Sequence, residues 1–355
     1  CGLQIIDIAN PDQPVITGSY PLAAAGEQMY LVGTNQVVLL ARDLCGNWNG
    51  EVPSAAILLE IIDGAPRKVG EVPIEGLVQE SRMVGTALYV VANRYRPVPP
   101  KDGSTATTWE WGLQISSFDL SRFAEPQARF SAWIPGYGNA VYATPNYLFV
   151  SSPYRNGLSI ADGKHDVHLF DISAEDGTMQ ALAVLQVPGR VIDKFKMNVN
   201  GETFTVVTES ALNTTTTQVD TYSLADPKHP VHLGELKIIE RERLFATRFD
   251  GALLYAVTFL RIDPLWVIDL SNPTVPKKVG VLEIPVWSTY IHPLGDRLVT
   301  IGYDNTGGWW RTAVQLFDVH DPAKPALLSK VVLGDQYSSS EGNYDEKAFG
   351  VLPDE

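Results

Sequence analysis

The residues best suited to binding are tryptophans and arginines that cluster in polar, turn-rich segments. Together these side chains give a large contact area for each group that binding immobilises. Four such segments together contain five of the eight tryptophans and four arginines. The candidate binding residues are Trp48, Arg94, Arg96, Trp109, Trp111, Arg155, Trp309, Trp310 and Arg311. The alternative interpretation is that the rings pack over one another and close the ends of a wide sheet assembly.

A second set of segments mixes acidic and basic residues. It contains Glu80, Arg82, Tyr137, Arg190, Asp193, Arg243, His292, Glu341 and Asp345. Carboxylates that meet could coordinate a cation such as Ca²⁺, and two titratable groups within reach of one ligand could act as acid and base. The alternative is that these acids and bases pair with each other.

Other motifs argue against several activities. His165 and His168 are three residues apart, as are His229 and His232, and on a strand that spacing does not converge on one ligand. No set of Cys or Glu completes a zinc pattern beside them. The chain also lacks a G-x-S-x-G elbow, a P-loop and a dinucleotide fingerprint.

Composition narrows the class of partner. The 355 residues carry 41 acidic and 27 basic side chains and a net charge of −14, which repels the phosphates of nucleic acid. Carbohydrate, protein or cation partners remain compatible with that charge. No run approaches the roughly 18 apolar residues needed to span a bilayer. The cysteines Cys1 and Cys45 predict either a disulfide in an exported protein or, at Cys1, a lipid anchor.

A repeat positions all of these residues. An apolar strand ends in a marker residue, a short turn that usually contains proline follows, and a second strand begins near glycine. Successive markers are 46 to 56 residues apart, the size of a propeller blade. The markers are Asp7, Asp63, Asp119, Asp171, Ser223, Asp269 and Asp318. Between them, glycine-containing hairpins such as 247–260 supply two more strands.

The repeat predicts an all-β protein, a seven-bladed β-propeller of four-stranded antiparallel blades in a single domain, 1–355. The chain begins on the third (C) strand of a blade, so we expect the N-terminal C and D strands to pair with a C-terminal A strand, EKAFGVLP, and to close the ring. The final B strand is missing, so we expect the native chain to continue beyond residue 355. The marker aspartates are interpreted as caps of the proline turns and not as a ring of metal ligands.

The last third of the chain also resembles a known family. The segment Asp263–Asp304, the strand and turn LFDVHDPAKP, and Ser340–Phe349 are similar to secreted β-propeller proteins distantly related to WD repeats, found in bacteria and archaea. The resemblance implies an extracytoplasmic location (secreted, periplasmic or at the cell surface) and no established activity. The family's closing run resembles Tyr-Asp-His-Lys-Ala-Phe, and Glu346 replaces its histidine here.

Three functions are compatible with these patterns. The first is an extracytoplasmic binding or scaffold module that presents the Trp- and Arg-rich face to a protein or carbohydrate. The second is a secreted hydrolase or lyase with its site among the mixed-charge segments, at the predicted channel mouth. The third is a structural subunit of a cell-surface assembly.

Overall fold

The computed structural model describes residues 2–22, 24–44, 54–98, 108–136, 140–156, 159–210, 214–259, 263–284 and 287–351. A two-stranded sheet comes first, with β1 (Gly2–Asp7) and β2 (Val15–Pro21). Three four-stranded sheets follow: β3 (Ala24–Val32), β4 (Gln36–Leu44), β5 (Ser54–Ile62), β6 (Ala65–Ile74); β7 (Leu77–Val84), β8 (Ala87–Val98), β9 (Thr108–Asp119), β10 (Gln127–Pro135); and β11 (Val141–Ala143), β12 (Tyr147–Asn156), β13 (Ser159–Asp171), β14 (Gln180–Val187).

Three further four-stranded sheets complete the described strands: β15 (Met197–Asn200), β16 (Thr203–Ser210), β17 (Thr216–Ser223), β18 (Val231–Glu240); β19 (Arg243–Asp250), β20 (Leu253–Phe259), β21 (Asp263–Asp269), β22 (Lys277–Ile284); and β23 (Trp287–Leu294), β24 (Arg297–Asp304), β25 (Arg311–Asp318), β26 (Ala326–Val332). Helix in the described ranges is confined to 3-10 turns at Lys194–Lys196, Glu341–Asn343 and Glu346–Ala348.

The predicted fold class is confirmed. In each four-stranded sheet the strands lie side by side in chain order, and all of the paired strands are antiparallel. Seven sheets built from consecutive hairpins are the blades of a seven-bladed β-propeller. The chain forms two compact units, one of residues 1–152 and 168–182 and the other of 153–167 and 183–355.

One detail of the prediction is wrong. Of the described strands, β1 and β2 pair only with each other. In the segment expected to be the C-terminal A strand, Glu346–Ala348 form a 3-10 turn and residues 349–351 are not in a strand, while residues 352 and 353 lie outside the described part of the chain. The carboxylate of Asp345 accepts the backbone N–H of Lys347, and the hydroxyl of Ser340 accepts that of Gly342 in the preceding turn. These short-range caps compete with an extended strand and favour turns.

The middle strands of the blades are apolar on both faces. Residues 87–92 of β8 and 54–59 of β5 are buried without interruption, whereas the outer strand β18 is buried only at Ile238. Continuous burial is the pattern of a strand covered on both sides, and its β-branched and aromatic residues suit that environment. Tyr255 is also fully buried, in a core within the second unit. The blades are therefore held by packing between sheets.

The marker residues act as predicted, as turn caps. The carboxylates of Asp7, Asp119, Asp171, Asp269 and Asp318 each accept the backbone N–H two residues further on, at 2.8 to 2.9 Å, and Ser223 makes the same bond at 3.3 Å through its hydroxyl. Asp63 is the exception, because it lies with Gly64 in a tight turn and has a φ of 51°. A short polar side chain tolerates this left-handed region better than a branched one does.

Glycines on the outer strands let the next blade approach closely. A Cβ at Gly234 would lie 2.6 Å from the carbonyl oxygen of Thr274, and one at Gly280 would lie 2.1 Å from that of Pro322. Both oxygens belong to the turn between the third and fourth strands of the following sheet. Gly18 has the same relation to Gly64, at 2.3 Å. No residue with a side chain fits between strand and turn unless the turn moves away.

Gly280→Ala is expected to destabilise the protein by about 1–3 kcal/mol, because the new methyl group must push away the Pro322 turn. Chemical denaturation followed by circular dichroism measures the change. The matched control is Gly350→Ala, since nothing lies within 4 Å of a Cβ at that position. Equal stability of the two variants would contradict the close-approach argument.

Candidate functional site

The candidate site of the first unit is a two-stranded extension of the β8–β9 hairpin. The inner strand β7 pairs with β8 only as far as Asn93, and β10 pairs with β9 only as far as Gly112. Beyond these points Tyr95–Val98 and Thr108–Trp111 form strand pairs with each other, and the backbone N–H of Gly136 donates to the carbonyl oxygen of Trp111 at 3.0 Å. We call these two segments the aromatic ribbon. The prediction that Arg94, Arg96, Trp109 and Trp111 lie in a loop is wrong, since all four lie on strands β8 and β9.

One face of the aromatic ribbon carries three adjacent rings. Tyr95 lies directly opposite Trp111 in the strand register. The ring centroid of Tyr95 is 5.2 Å from that of Trp109, with an interplanar angle of 24°, and 5.0 Å from that of Trp111. Tyr95, Trp109 and Trp111 keep 44%, 50% and 47% of their surface exposed. Alternation along the strands places all three on the same side, so they form a continuous aromatic surface open to solvent.

The opposite face of the aromatic ribbon is a packed, charge-paired layer. The Arg96 guanidinium lies 3.9 Å above the ring of Trp133 on β10 and 3.1 Å from the carboxylate of Glu110, which is directly opposite on β9. The indole N–H of Trp133 donates to the same carboxylate at 2.8 Å. Gly112 makes this possible, since a Cβ there would lie 2.3 Å from the Trp133 ring. This layer fixes the orientation of the ribbon.

The second tryptophan pair has a mixed role. Trp310 packs edge-on against Trp287, with ring centroids 5.6 Å apart, and against Tyr303 at 6.2 Å. Trp309, its neighbour in the turn after β24, is 51% exposed. Arg311 begins β25 and lies 4.0 Å from the buried carboxylate of Asp304. Trp310 and Arg311 therefore contribute to packing, although Trp310 keeps 42% of its surface exposed, compared with 51% for Trp309.

The predicted channel-mouth residues of the second unit are held by structural contacts. Asp193 accepts the backbone N–H of Phe195 at 2.9 Å and the ammonium of Lys196 at 2.7 Å. The backbone of Arg190 exchanges hydrogen bonds with Glu209, whose carboxylate lies 3.9 Å from the Arg243 guanidinium and accepts the N–H of Leu244. Glu209 was not among the predicted residues, although the structure places it between the two arginines.

The remaining mouth residues lie on different elements. The ring centroid of His292 on β23 is 6.2 Å from that of Phe349. The pKa of His292 is lowered, mainly by burial and to a smaller extent by the nearby positive charge of Arg248. Asp345 caps a turn, and Glu341 begins another. In the first unit, Glu80 and Arg82 lie on β7. The backbone N–H of Asp345 donates to the carbonyl oxygen of Glu341 at 2.8 Å. Among the described groups of the second unit, no side-chain hydrogen bond or ion pair joins His292, Glu341, Asp345 and Arg243 to one another, so the hydrolase alternative stays a prediction.

Glu346 stands where the family that this chain resembles has the histidine of its Tyr-Asp-His-Lys-Ala-Phe run. Its carboxylate forms an ion pair with Lys194 at 2.5 Å. Burial opposes ionisation of this carboxyl, but the hydrogen bond from Lys194, a backbone hydrogen bond and the charges of Lys194 and Lys347 together outweigh burial, and the pKa of Glu346 is lowered. The substituted position therefore contributes an electrostatic contact between two 3-10 turns of the second unit.

Several predicted residues lie outside the described part of the chain. They are Trp48, Tyr137, Cys1, Cys45 and the side chain of Arg155, whose backbone belongs to β12. The disulfide and the lipid anchor therefore stay predictions.

Sequence reasoning missed a polar cavity of about 310 Å³ in the second unit. Asp220 on β17 and His232 and Glu235 on β18 are three potential ligands that converge there. His232 was noted only for its spacing from His229, which in the structure bonds to Asp226 instead. Gly234 is the sequence signal that could have indicated a bulge here, because a glycine also follows the bulged residue in other outer strands. The rest of the lining comes from Lys164, Gln186, Val187, Pro188, Gln218 and Tyr222.

The comparisons with known proteins agree with this architecture. A family model described as a β-propeller domain matches residues 99–355. The chain belongs to the β-propeller domain family. This assignment covers the second unit completely and part of the first, including the β9 half of the aromatic ribbon. It establishes the fold and leaves the partner open.

Two archaeal relatives share part of the sequence. An uncharacterized protein of Methanocaldococcus jannaschii is 40% identical over 114 residues, which are 32% of this chain and 18% of that protein. An uncharacterized protein of Archaeoglobus fulgidus is 32% identical over 167 residues, which are 47% of this chain and 26% of that protein. The chain thus matches about a fifth to a quarter of the length of these relatives.

Among solved structures, the fold is similar to that of a putative 6-phosphogluconolactonase from Bacteroides fragilis. The TM-score is 0.51 at 12% identity, over 90% of this chain and 88% of the other. At that identity the likeness concerns the fold alone. In the described part of this chain, no helix has the length and apolar character required to cross a membrane.

Two buried histidines make stability depend on pH. Burial lowers the pKa of His165 and of His168, each from 6.5 to about 4. The unfolded chain therefore takes up a proton near pH 6.5 at each site, while the folded chain stays neutral down to about pH 4. Folding is stabilised fully above pH 6.5, and that stabilisation is lost as the pH falls toward 4.

We expect the free energy of unfolding to fall between pH 6.5 and pH 4, by about 3 kcal/mol for each histidine. In His165→Leu the slope over this range is shallower, because one proton uptake by the unfolded chain is removed. Denaturation at a series of pH values measures the slope. His229→Leu is the control, since that side chain is 82% exposed; an unchanged slope in the His165 variant contradicts the prediction.

Proposed function

We propose that this protein is an extracytoplasmic binding module whose aromatic ribbon captures a carbohydrate. The observation that carries the proposal is the set of three adjoining rings, each about half exposed, on a strand pair that extends beyond its blade. Exposed aromatic surface of this kind is uncommon unless it serves recognition. The flat faces of the rings suit the apolar faces of sugar rings.

The charges on the ribbon support a neutral partner. Arg94 forms an ion pair with Glu75, and Arg96 forms one with Glu110. Two of the four arginines that the sequence suggested as recognition groups are thereby neutralised within the protein. Since the chain carries a net charge of −14, an anionic partner would also be repelled. A neutral polysaccharide meets both conditions.

The rigidity of the ribbon supports binding through preformed contacts. Trp133 lies beneath Arg96, and Glu110 joins both side chains by hydrogen bonds. A two-stranded hairpin without other support is only marginally stable in water, so this layer holds the rings in place before a ligand arrives. A prearranged surface loses less conformational entropy on binding.

The extracytoplasmic location belongs to the same proposal. Its support is the resemblance of Asp263–Asp304 to exported propellers. A binding surface for polysaccharide would be useful where such polymers occur, in the cell envelope or outside the cell.

The test is the double variant Trp109→Ala/Trp111→Ala. Binding of the wild-type chain to cellulose, chitin, xylan and mannan is measured by affinity electrophoresis and by quenching of tryptophan fluorescence. We expect the wild-type chain to bind at least one of the four polymers. In the double variant the affinity falls at least tenfold, because two of the three stacking surfaces are removed, while the melting temperature changes little.

Trp309→Ala is the matched control, since Trp309 is 51% exposed and lies outside the ribbon. Retention of binding in this control, together with loss in the double variant, supports the proposal. Loss of binding in Trp309→Ala with retention in the double variant would place recognition at the other tryptophan turn. Absence of wild-type binding to all four polymers would contradict a carbohydrate partner.

A further inference from the structure

We propose that Asp220, His232 and Glu235 bind a divalent transition-metal ion in the polar cavity of the second unit. The site is independent of the aromatic ribbon. One ligand atom from each of the three side chains lies within 4.8 Å of the other two. The imidazole Nε2 of His232 is already 3.0 Å from a carboxylate oxygen of Asp220. Bonds of about 2.1 Å to a tetrahedral ion separate its ligands by about 3.4 Å, so small side-chain rotations complete the arrangement.

A bulge in β18 brings the three residues to one face. Tyr222 is opposite His232 and Asp220 is opposite Glu235. The two residues on β17 are two positions apart, whereas their partners on β18 are three positions apart. Leu233 is the extra residue. In a regular strand, positions three apart point to opposite faces, but one inserted residue restores a common face. His232 and Glu235 therefore both point toward the side that carries Asp220.

The surroundings of the Asp220 carboxylate differ from those of the other buried carboxylates. Four described carboxylates are buried: Asp119, Glu209, Asp220 and Asp304. Arg129, Arg243 and Lys330 respectively form ion pairs with the first, second and fourth. Asp220 is 2% exposed and faces His232 and the amide of Gln218 instead. Burial raises its pKa, against the hydrogen bonds from His232 and Gln218.

A bound cation would supply the positive charge that the other buried carboxylates obtain from lysine or arginine. The cavity also contains Lys164, whose ammonium is 3.4 Å from the amide oxygen of Gln186. The carboxylates of Asp220 and Glu235 and the ammonium of Lys164 together give the cavity a net negative charge. That balance favours a divalent ion over an anion at this position.

The ligand types select the class of metal. One imidazole nitrogen with two carboxylate oxygens suits Zn²⁺, Mn²⁺ and related ions, whereas Ca²⁺ takes six to eight oxygen ligands. Three protein ligands leave at least one position for water, which is the composition of zinc sites that bind a further ligand. His232 is 43% exposed, so the ion can enter from solvent.

The experiment uses the full chain without an affinity tag, freed of metal with EDTA and then dialysed. Titration with Zn²⁺ and with Mn²⁺ is followed by isothermal calorimetry at pH 7.5. We expect one ion bound per chain and a higher melting temperature with metal. His232→Ala and, separately, Asp220→Asn lower the affinity at least tenfold, since each removes one of three ligands.

His229→Ala is the matched control, because it removes an exposed histidine that is also paired with an aspartate, Asp226. One bound ion in this control and in the wild-type chain, with loss in the two cavity variants, supports the site. Failure of the wild-type chain to bind either ion, or equal binding by His232→Ala, overturns it. Equal affinity for Ca²⁺ overturns the assignment to a transition metal. Melting curves without metal confirm that each variant is folded.

Discussion

The close contact between an outer strand and the turn of the following sheet is the constraint on which each unit depends. At Gly280 the backbone of β22 meets the turn that contains Pro322 with no room for a side chain. Thr221 strengthens the equivalent contact one sheet earlier, since its hydroxyl donates to the carbonyl oxygen of Pro273. The repeat of glycine, capping residue and proline turn follows from this contact. Apolar strands supply the burial, and the turn contact sets how neighbouring sheets meet.

The same contact affects the polar side chains of the outer strand. Leu233, the bulged residue of β18, immediately precedes Gly234, which lies against Thr274. A bulge at that point changes which side chains share a face, and His232 and Glu235 meet Asp220 as a result. The feature that lets one sheet approach the next therefore also forms the polar cavity. In the blade of β15 to β18, this bulge of the repeat thereby places three potential metal ligands together.

The strands and their order could be predicted because the apolar pattern and the turn residues are local signals. The caps at Asp7 and Asp269 are likewise local, since each involves the residue two positions further on. The aromatic ribbon could not be predicted as strands, because its register pairs Tyr95 with Trp111 across a polar segment that contains several turn formers. The cluster at Asp220 depends on a bulge, and the C-terminal turns depend on side-chain caps that outweigh strand propensity.

The fold itself does not distinguish an enzyme from a binding protein, because blades of the same construction support unrelated activities. The features specific to this chain are which of its polar side chains are paired and which of its aromatic side chains are exposed. Arg96, Glu110 and Trp133 satisfy one another, and the three rings on the other face of the ribbon stay about half exposed. Asp193 and Glu209 are likewise engaged by neighbouring cations and N–H groups. The rings of the ribbon thus stay exposed, whereas these two carboxylates are held by neighbouring groups.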